Sequence, residues 1–309
     1  MAARRLGILP SDLKEQRQNA FMNHDMQARI LDICTSRLNE AGIASLVFKG
    51  WAISACYAEP ECRPTGDADI LIAPGRMAEA LALLQPLSHQ RDWAPIDPTA
   101  EPIGLTMDMG LPAKVSKLDL HLSLGKFRIA TEEAFAMAEA RPCVDHVVKV
   151  LGPAHHLRLL VLHMFRHGAW RPIWLVDIAA MLENLPQDFD WDRATGGDPV
   201  VQNWVSIAAG LARDLLGADL DELPPFIQNC AVPAWIKAHI IAAWSRPFSA
   251  YHTRPALKAT LRLRPWAFPA ELAARWPDPL RAPIETARPF RGRPGRGLQA
   301  RAAMQRLRA

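Results

Sequence analysis

Apolar residues recur every three or four positions from residue 12 to residue 40, and this spacing predicts one long amphipathic helix that ends before Gly42. Two short apolar runs follow, at residues 43–48 and 67–73, and each is bounded by glycine or proline, which is typical of strands. Helical spacing returns from residue 76 to residue 85. The start of the chain therefore predicts strands that alternate with helices.

Strict alternation of polar and apolar residues predicts a further strand between residues 115 and 124. Lys117, Asp119 and His121 fall on one face of this strand, and leucines fall on the other. The rest of the first half predicts a short helix over 51–57, a strand near 103–109, a helix over 131–140 and a strand over 146–151.

From Gly152 onward the apolar spacing is helical almost throughout, and eight of the ten tryptophans lie at or after Trp170. Helices are predicted over 154–167, 172–184, 199–216 and 234–243. We therefore expect an α+β protein in three parts: a strand-containing domain with an N-terminal helix at 1–151, a helical domain at 152–285 and an Arg-rich tail at 286–309.

The formal charge of +4 is not spread evenly over the 309 residues. Seven arginines and no acid lie between Thr286 and Ala309, so the rest of the chain carries −3. This tail has no aromatic side chain besides Phe290, which argues against base stacking with single-stranded nucleic acid. We expect a solvated, flexible tail and no nucleic-acid partner.

The five cysteines include no Cys-x-x-Cys pair, so neither a zinc ribbon nor a disulfide framework is supported, and free thiols suit a reducing compartment. The apolar run in the first ten residues is too short for a signal peptide. Charged residues interrupt the longer apolar segments. We expect a cytoplasmic protein without a membrane span.

Two aspartates open the strand predicted at residues 67–73. Because residues i and i+2 of a strand point to the same side, Asp67 and Asp69 present two carboxylates on one face, about 6.6 Å apart along the backbone. Ionised carboxylates at that spacing repel each other, and a divalent cation such as Mg²⁺ relieves the repulsion and still has positions open for phosphate oxygens. The alternative is a solvated strand end before a turn.

A third acid, Asp119, can lie beside this pair on a neighbouring strand. Three carboxylates at strand positions, together with a glycine turn at Gly66, are typical of a two-metal site for phosphoryl transfer. The alternative for Asp119 is an exposed strand face. His121 shares the face of Asp119, where it can orient a carboxylate without binding the metal itself.

Basic residues precede the acids. Lys49 follows the first predicted strand, and Arg63 lies in a loop bounded by prolines just before Asp67. Both side chains suit phosphate oxygens. Lys49 can equally be an ordinary lysine at a strand end, and Arg63 can pair with Asp67 for structural reasons.

The helix predicted after Pro153 carries a second basic face. His163 and Arg166 are three residues apart, so they share one side of the helix and can contact a nucleotide there. The alternative is a buried histidine that is hydrogen-bonded to a neighbouring helix. Asp177 lies in an apolar helix and needs a partner, for which Arg166 and His163 are candidates.

The order of these parts resembles one known family. A strand, Lys49-Gly50, a short helix and the segment Arg63-Pro-Thr-Gly-Asp-Ala-Asp69 look like the uncharacterised nucleotidyltransferase family of the polymerase-β-like nucleotidyltransferase superfamily. Leu118-Asp119-Leu-His121 resembles the family's third-acid strand, and residues 157–177 resemble the paired helices that follow its catalytic domain. The resemblance covers roughly residues 25–190.

The resemblance implies a fold and a set of site residues. It implies a mixed β-sheet nucleotidyltransferase domain flanked by helices and followed by a helical C-terminal domain, with the active site in the cleft between them. Asp67, Asp69 and Asp119 become the catalytic acids and metal ligands, with Asp119 as the base for the acceptor. His121 and Asp177 are expected to lie behind the site residues and to orient them. The residues themselves and the resemblance together predict a set of nucleotide-binding residues: Lys49, Gly50, Arg63, Gly66, His163 and Arg166.

The resemblance also implies an activity. A divalent cation, Mg²⁺ or Mn²⁺, and an NTP, for which ATP is the expected donor, serve an EC 2.7.7-type transfer of a nucleoside monophosphate. The acceptor is a hydroxyl or phosphate of a peptide, sugar or small molecule, as in the tailoring of natural products. Two alternatives stay open: kinase-like transfer of the γ-phosphoryl group at the same metal site, and a non-catalytic nucleotide-binding or antitoxin-like module.

The turn departs from the wider superfamily. Where most members have Gly-Ser or Gly-Gly, this chain has Lys49-Gly50, a form that the uncharacterised family shares. Gly50 would let the backbone approach the triphosphate, and Lys49 would supply charge where a serine would supply a hydrogen bond.

Overall fold

The computed structural model describes residues 11–87, 94–95, 104–108, 117–246, 262, 265–267 and 276–308. The segment considered for a signal peptide, residues 1–10, and the start of the strand predicted at 115–124 lie outside these ranges. The chain folds into two compact units, one of Met1–His156 with Asn184–Phe189 and one of Leu157–Glu183 with Asp190–Ala309. The division falls inside a helix, a few residues after the expected start of the helical domain at residue 152.

The first unit is built on a mixed β-sheet. Its described strands are β1 (Ser45–Phe48), β2 (Asp67–Ile72), β3 (Ala94–Pro95), β4 (Gly104–Asp108), β5 (Lys117–His121), β6 (Glu139–Pro142) and β7 (Val147–Val150). They lie in the order β3-β4-β5-β2-β1-β7-β6. The pairs β2–β5 and β1–β7 are parallel, and the other neighbours are antiparallel.

Helices flank this sheet, as an α+β fold requires. In the first unit they are α1 (Ser11–Glu40), α2 (Gly50–Ser54), α3 (Met77–Leu84), α4 (Thr131–Ala136) and the start of α5 (Pro153–Arg166). Every second residue of the central strands is aliphatic, so one sheet face is apolar and packs against α1 and α3. The buried cluster includes Leu31, Cys34 and Leu38 of α1, Ala80 and Leu84 of α3, and Val47, Ala68, Ile70, Leu118, Leu120 and Val150 of the sheet.

The same alternation places the chemistry on the opposite face. Ala68 and Ile70 of β2 point into the apolar cluster, so Asp67 and Asp69 point away from it. On β5, Asp119 is likewise on the face opposite to its buried leucine neighbours. The hydrophobic core thus fixes which side of the sheet carries the acids.

The second unit is helical. After α5 it contains α6 (Pro172–Leu182), α7 (Trp191–Thr195), α8 (Pro199–Leu216), α9 (Pro225–Gln228), α10 (Ala234–Trp244), α11 (Arg281–Glu285) and α12 (Arg296–Arg308). Local sequence explains the bounds of α8. The Asp198 side chain accepts a hydrogen bond from the Val200 N–H, Pro199 opens the helix, and Gly217 ends it with a φ of 72°.

Two expectations from the sequence are wrong. Residues 139–140 were expected to end a helix, but they begin β6, which pairs with β7 in an antiparallel register. The Arg-rich segment was expected to be a solvated, flexible tail, but it contains helix α12 and the buried Phe290. Its packing depends on single apolar residues such as Ala302, which is fully buried, and these are hard to recognise among so many arginines.

Two further observations concern the cysteines and the helices. All five cysteines are free thiols. Within the described residues, no helix combines the length and the apolar character that crossing a membrane requires.

Candidate active site

Three neighbouring strands bring the predicted acids and the predicted lysine together. Antiparallel pairing of β1 with β2 sets Phe48, the last residue of β1, opposite Asp69. Parallel pairing of β2 with β5 sets Asp69 directly beside Asp119. Lys49 follows β1 in the chain, so it arrives at the same place.

Asp69 is the centre of this arrangement, and its side chain is only 3% exposed. Its Oδ1 atom lies 2.7 Å from the Lys49 Nζ atom and 2.8 Å from the His121 Nε2 atom. Burial alone would raise the pKa of Asp69, but the Lys49 ammonium and the His121 hydrogen bond outweigh it and lower the pKa to about 2. Asp69 is therefore ionised at neutral pH.

His121 holds this carboxylate from the next strand. Burial lowers the pKa of His121 in spite of its hydrogen bond with Asp69, so the ring is neutral at pH 7. Since an ionised carboxylate only accepts hydrogen bonds, Nε2 carries the proton and Nδ1 carries a lone pair. That Nδ1 atom is buried and has no hydrogen-bond partner among the residues that the structure describes. The ring also packs edge-on against Phe48, with 4.9 Å between the ring centroids.

The donor set suits a divalent cation. Asp69, Asp119 and His121 each offer a ligand atom, and these atoms all lie within 4.8 Å of one another. Carboxylate oxygens are the ligands that Mg²⁺ and Mn²⁺ prefer, and imidazole is compatible with transition metals. Asp67, which was also expected to bind metal, is not one of the three, and it lies exposed at the start of β2.

The turn after β1 has an unusual backbone. Lys49 has a φ of 56° and a ψ of −155°, a region that is essentially reserved for glycine. Gly50 follows with a φ of 37°, and a Cβ atom added there would lie 3.2 Å from the backbone oxygen of Asp67. The absence of a side chain at Gly50 thus lets the turn pass close to the start of the acid strand.

His156 supports this turn, although it was not among the predicted site residues. Its Nε2 atom accepts a hydrogen bond of 2.9 Å from the backbone N–H of Lys49. Burial lowers the pKa of His156 to about 3, so the ring is neutral and can accept that bond. A usable signal was present, because His156 lies in the first turn of α5 and the positions three and four residues later, Leu159 and Leu160, are apolar.

Gln27 of α1 was also missed. Its Nε2 atom donates a hydrogen bond of 2.6 Å to the backbone oxygen of Asp67, and its side-chain amide lies beside Gly50. Gln27 is fully buried and shares the helical face of Leu31 and Cys34. A polar residue on that apolar stripe was the signal that could have identified it.

Two loop residues predicted to bind nucleotide lie just before β2. Arg63 is 6% exposed, and its Nη1 atom donates a hydrogen bond of 3.1 Å to the backbone oxygen of Pro64. Gly66 is exposed and directly precedes Asp67.

The remaining predicted residues belong to the second unit. His163 and Arg166 lie on α5, and Asp177 is buried within α6. The His163 ring is 5.1 Å from the Trp174 ring and 4.5 Å from the His167 ring, measured between centroids. His163 therefore lies among aromatic rings of its own unit.

Comparisons with known proteins give one family match. A crystal structure of an antigenic nucleotidyltransferase-like protein from Paracoccidioides brasiliensis matches with a TM-score of 0.44 and 15% identity, over 62% of this chain and 91% of that chain. No curated protein matches at a significant level. A sequence model of one protein family, the uncharacterised nucleotidyltransferases, matches residues 5–197, which is more than half of the chain. The chain therefore belongs to the uncharacterised nucleotidyltransferase family.

Proposed function

We propose that this protein transfers a nucleoside monophosphate, AMP when ATP is the donor, to a hydroxyl or phosphate group of a peptide, sugar or small-molecule acceptor. Tailoring of a natural product in the cytoplasm is the setting that we propose. One observation carries the proposal: Asp69 and Asp119 lie side by side on parallel strands, and the Lys49 ammonium is 2.7 Å from Asp69.

Each residue of this site has a proposed role. Asp69 and Asp119, with Asp67 at the strand start, would hold Mg²⁺ or Mn²⁺, which when bound neutralises triphosphate charge and favours ionisation of the acceptor. Asp119 takes the proton of the acceptor hydroxyl. The acceptor oxygen bonds to the α-phosphorus, the bond from that phosphorus to the bridging oxygen breaks, and pyrophosphate leaves.

Basic residues complete the proposed site. The Lys49 Nζ atom lies 2.7 Å from Asp69, and this ammonium would bind the triphosphate. Gly50, Arg63 and Gly66 precede β2 in the sequence, and we propose that they also contact the nucleotide. The contacts of His163 and Arg166 with the nucleotide stay predictions of the same proposal.

The position of a radioactive label tests the type of reaction. The purified protein is incubated with Mg²⁺ or Mn²⁺, a panel of peptides, sugars and small molecules, and ATP labelled at either the α- or the γ-phosphorus. We expect only the α-label to reach an acceptor. Transfer of the γ-label alone would contradict the proposal and favour the kinase-like alternative. Nucleotide binding without any transfer would favour the non-catalytic module.

A pair of variants controls this experiment. Asp69→Asn removes the buried carboxylate at nearly constant shape and should abolish labelling. Asp25→Asn removes an exposed carboxylate of α1 that pairs with Arg29 at 2.9 Å, and it should label like the wild type. Equal labelling by the Asp69 variant would exclude this carboxylate from the reaction.

A further inference from the structure

Lys49 has a backbone conformation that disfavours every residue except glycine. Among the described residues, it is one of four non-glycine residues with a positive φ, the others being Arg128, Ala169 and Ala287. Such a strained conformation persists only where contacts with neighbouring residues hold it in place. The His156 ring provides one restraint by accepting the Lys49 N–H. Because glycine would remove this strain, a lysine at this position indicates that its side chain has a function in the site.

The ammonium of Lys49 has a specific position. Its Nζ atom is 2.7 Å from the Asp69 Oδ1 atom, the Lys49 side chain is 16% exposed, and the Phe48 ring centroid lies 5.3 Å from Nζ. The same Oδ1 atom accepts the hydrogen bond from His121. A buried carboxylate needs a partner of opposite charge, and Lys49 already provides it.

A divalent cation at Asp69 and Asp119 would meet this ammonium. Two positive charges repel strongly at a separation of a few ångströms in a poorly hydrated site. The cation and Lys49 therefore compete for one carboxylate. An ammonium that leaves Asp69 needs another anion nearby, and the triphosphate of a nucleotide is the anion that this site would receive.

We propose that Lys49 is a tethered counter-ion of Asp69, which the catalytic cation must displace and which the triphosphate draws away, so that cation and nucleotide bind together. This inference rests on the proposed function. It adds an order to the events: without nucleotide, Lys49 neutralises Asp69 and keeps the cation affinity low.

Binding of Mn²⁺ without nucleotide tests the competition. Lys49→Met keeps the length of the side chain and removes its charge, and Lys149→Met removes an exposed lysine of β7 as a matched control. The electron paramagnetic resonance signal of free Mn²⁺ measures binding by each protein. We expect Lys49→Met to bind Mn²⁺ at least about tenfold more tightly than the wild type and the control.

Two further variants make the result specific. Adding Asp69→Asn to Lys49→Met should remove the gain in Mn²⁺ affinity. That gain is expected to come from the Asp69 carboxylate once it has lost its Lys49 counter-ion. Lys49→Gln provides a second neutral side chain if the methionine variant unfolds, and circular dichroism shows whether each protein is folded.

The outcomes separate this inference from the proposed function. Equal affinity of the wild type and both Lys49 variants for Mn²⁺ alone would overturn the counter-ion role and leave the metal site intact. In a separate measurement, an ATP analogue with a methylene group between the α- and β-phosphorus is added to the wild type. We expect the wild type to bind Mn²⁺ more tightly with the analogue than without it, and water proton relaxation detects this binding. No loading of any protein with or without the analogue would overturn both proposals.

Discussion

Lys49 and Gly50 show how single residues shape the site. Lys49 has glycine-like backbone angles, and Gly50 lies so close to Asp67 that a Cβ atom would be 3.2 Å from a backbone oxygen. Lys49 places a positive charge next to Asp69, and Gly50 leaves room for the backbone of Asp67. A side chain at Gly50 would force the turn or the start of β2 to move.

Gly50→Ala tests the need for space. A side chain at a positive φ costs about 1–2 kcal/mol wherever it is introduced. Gly42→Ala is the matched control, because Gly42 has a φ of 66° and nothing within 4 Å of an added Cβ atom. We expect both variants to be less stable in urea unfolding, and only Gly50→Ala to lose nucleotide turnover. Equal turnover by the two variants would contradict the close approach.

His156→Gln tests how the turn is held, through the pH dependence of stability. The folded-state pKa of His156 is about 3 and its ordinary value is 6.5, so between these values only the unfolded chain binds a proton. Wild-type stability therefore falls on acidification by up to about 1.4 kcal/mol per pH unit from this group. The His156→Gln variant lacks this contribution to the pH dependence of stability.

Urea unfolding at pH 8 and pH 5 measures the effect. We expect His156→Gln to be less stable than the wild type at pH 8 and the difference to narrow at pH 5. A difference that does not change with pH would show that His156 titrates normally in the folded protein.

Helix α1 connects the hydrophobic core to the site. Leu31 and Cys34 bury one of its faces against the sheet, and Gln27 on the same face donates to the backbone of Asp67. The helix thereby fixes the point at which β2 begins. Its contribution to function is indirect, through the position of the acid strand.

Gln27→Glu tests this connection. The new carboxylate cannot donate to the Asp67 oxygen, and its burial without a partner should cost about 1–3 kcal/mol. Gln18→Glu, on an exposed position of the same helix, should change stability by less than about 0.5 kcal/mol. Urea unfolding compares the two variants. Equal stability would mean that the hydrogen bond from Gln27 is not important.

Local sequence predicted most helices and strands because their spacing is regular. The alternation in β2 and β5 also placed Asp69 and Asp119 on one face, and strand pairing then brought them side by side. Residues 139–140 were predicted incorrectly, because pairing with β7 decides their conformation and such pairing is not visible in a local pattern.

The supports of the site were harder to predict. Gln27 and His156 are far from the acids in sequence, and only the tertiary fold brings them to Asp67 and Lys49. The exposure of Asp67 also depends on where β2 begins, which spacing alone does not define. Sequence patterns thus found the charged groups but not the residues that hold them.

At the scale of the whole molecule, the excess positive charge belongs to a packed segment. Phe290 is 3% exposed and lies 4.7 Å from the Phe165 ring, between centroids. Trp204 donates a hydrogen bond of 2.8 Å to the backbone oxygen of Arg288. The Arg-rich segment therefore contributes to the core of the second unit.

Phe290→Ala tests that contribution. Loss of a buried phenylalanine should destabilise the second unit by about 3–5 kcal/mol. Met304→Ala is the control on α12, where Met304 is 51% exposed. In thermal unfolding, Phe290→Ala should have a lower transition temperature than the wild type. The transition temperature of Met304→Ala should be almost the same as that of the wild type. Equal transitions would restore the interpretation of the segment as a solvated tail.

The central claim is that Asp69 and Asp119 form the reaction centre of a nucleotidyltransferase, and pyrophosphate release by Asp119→Asn tests it most directly. Loss of the proposed base should reduce the rate about 10²–10⁴-fold, while Asp25→Asn keeps the wild-type rate. A folded Asp119→Asn protein that releases pyrophosphate as fast as the wild type would contradict the account.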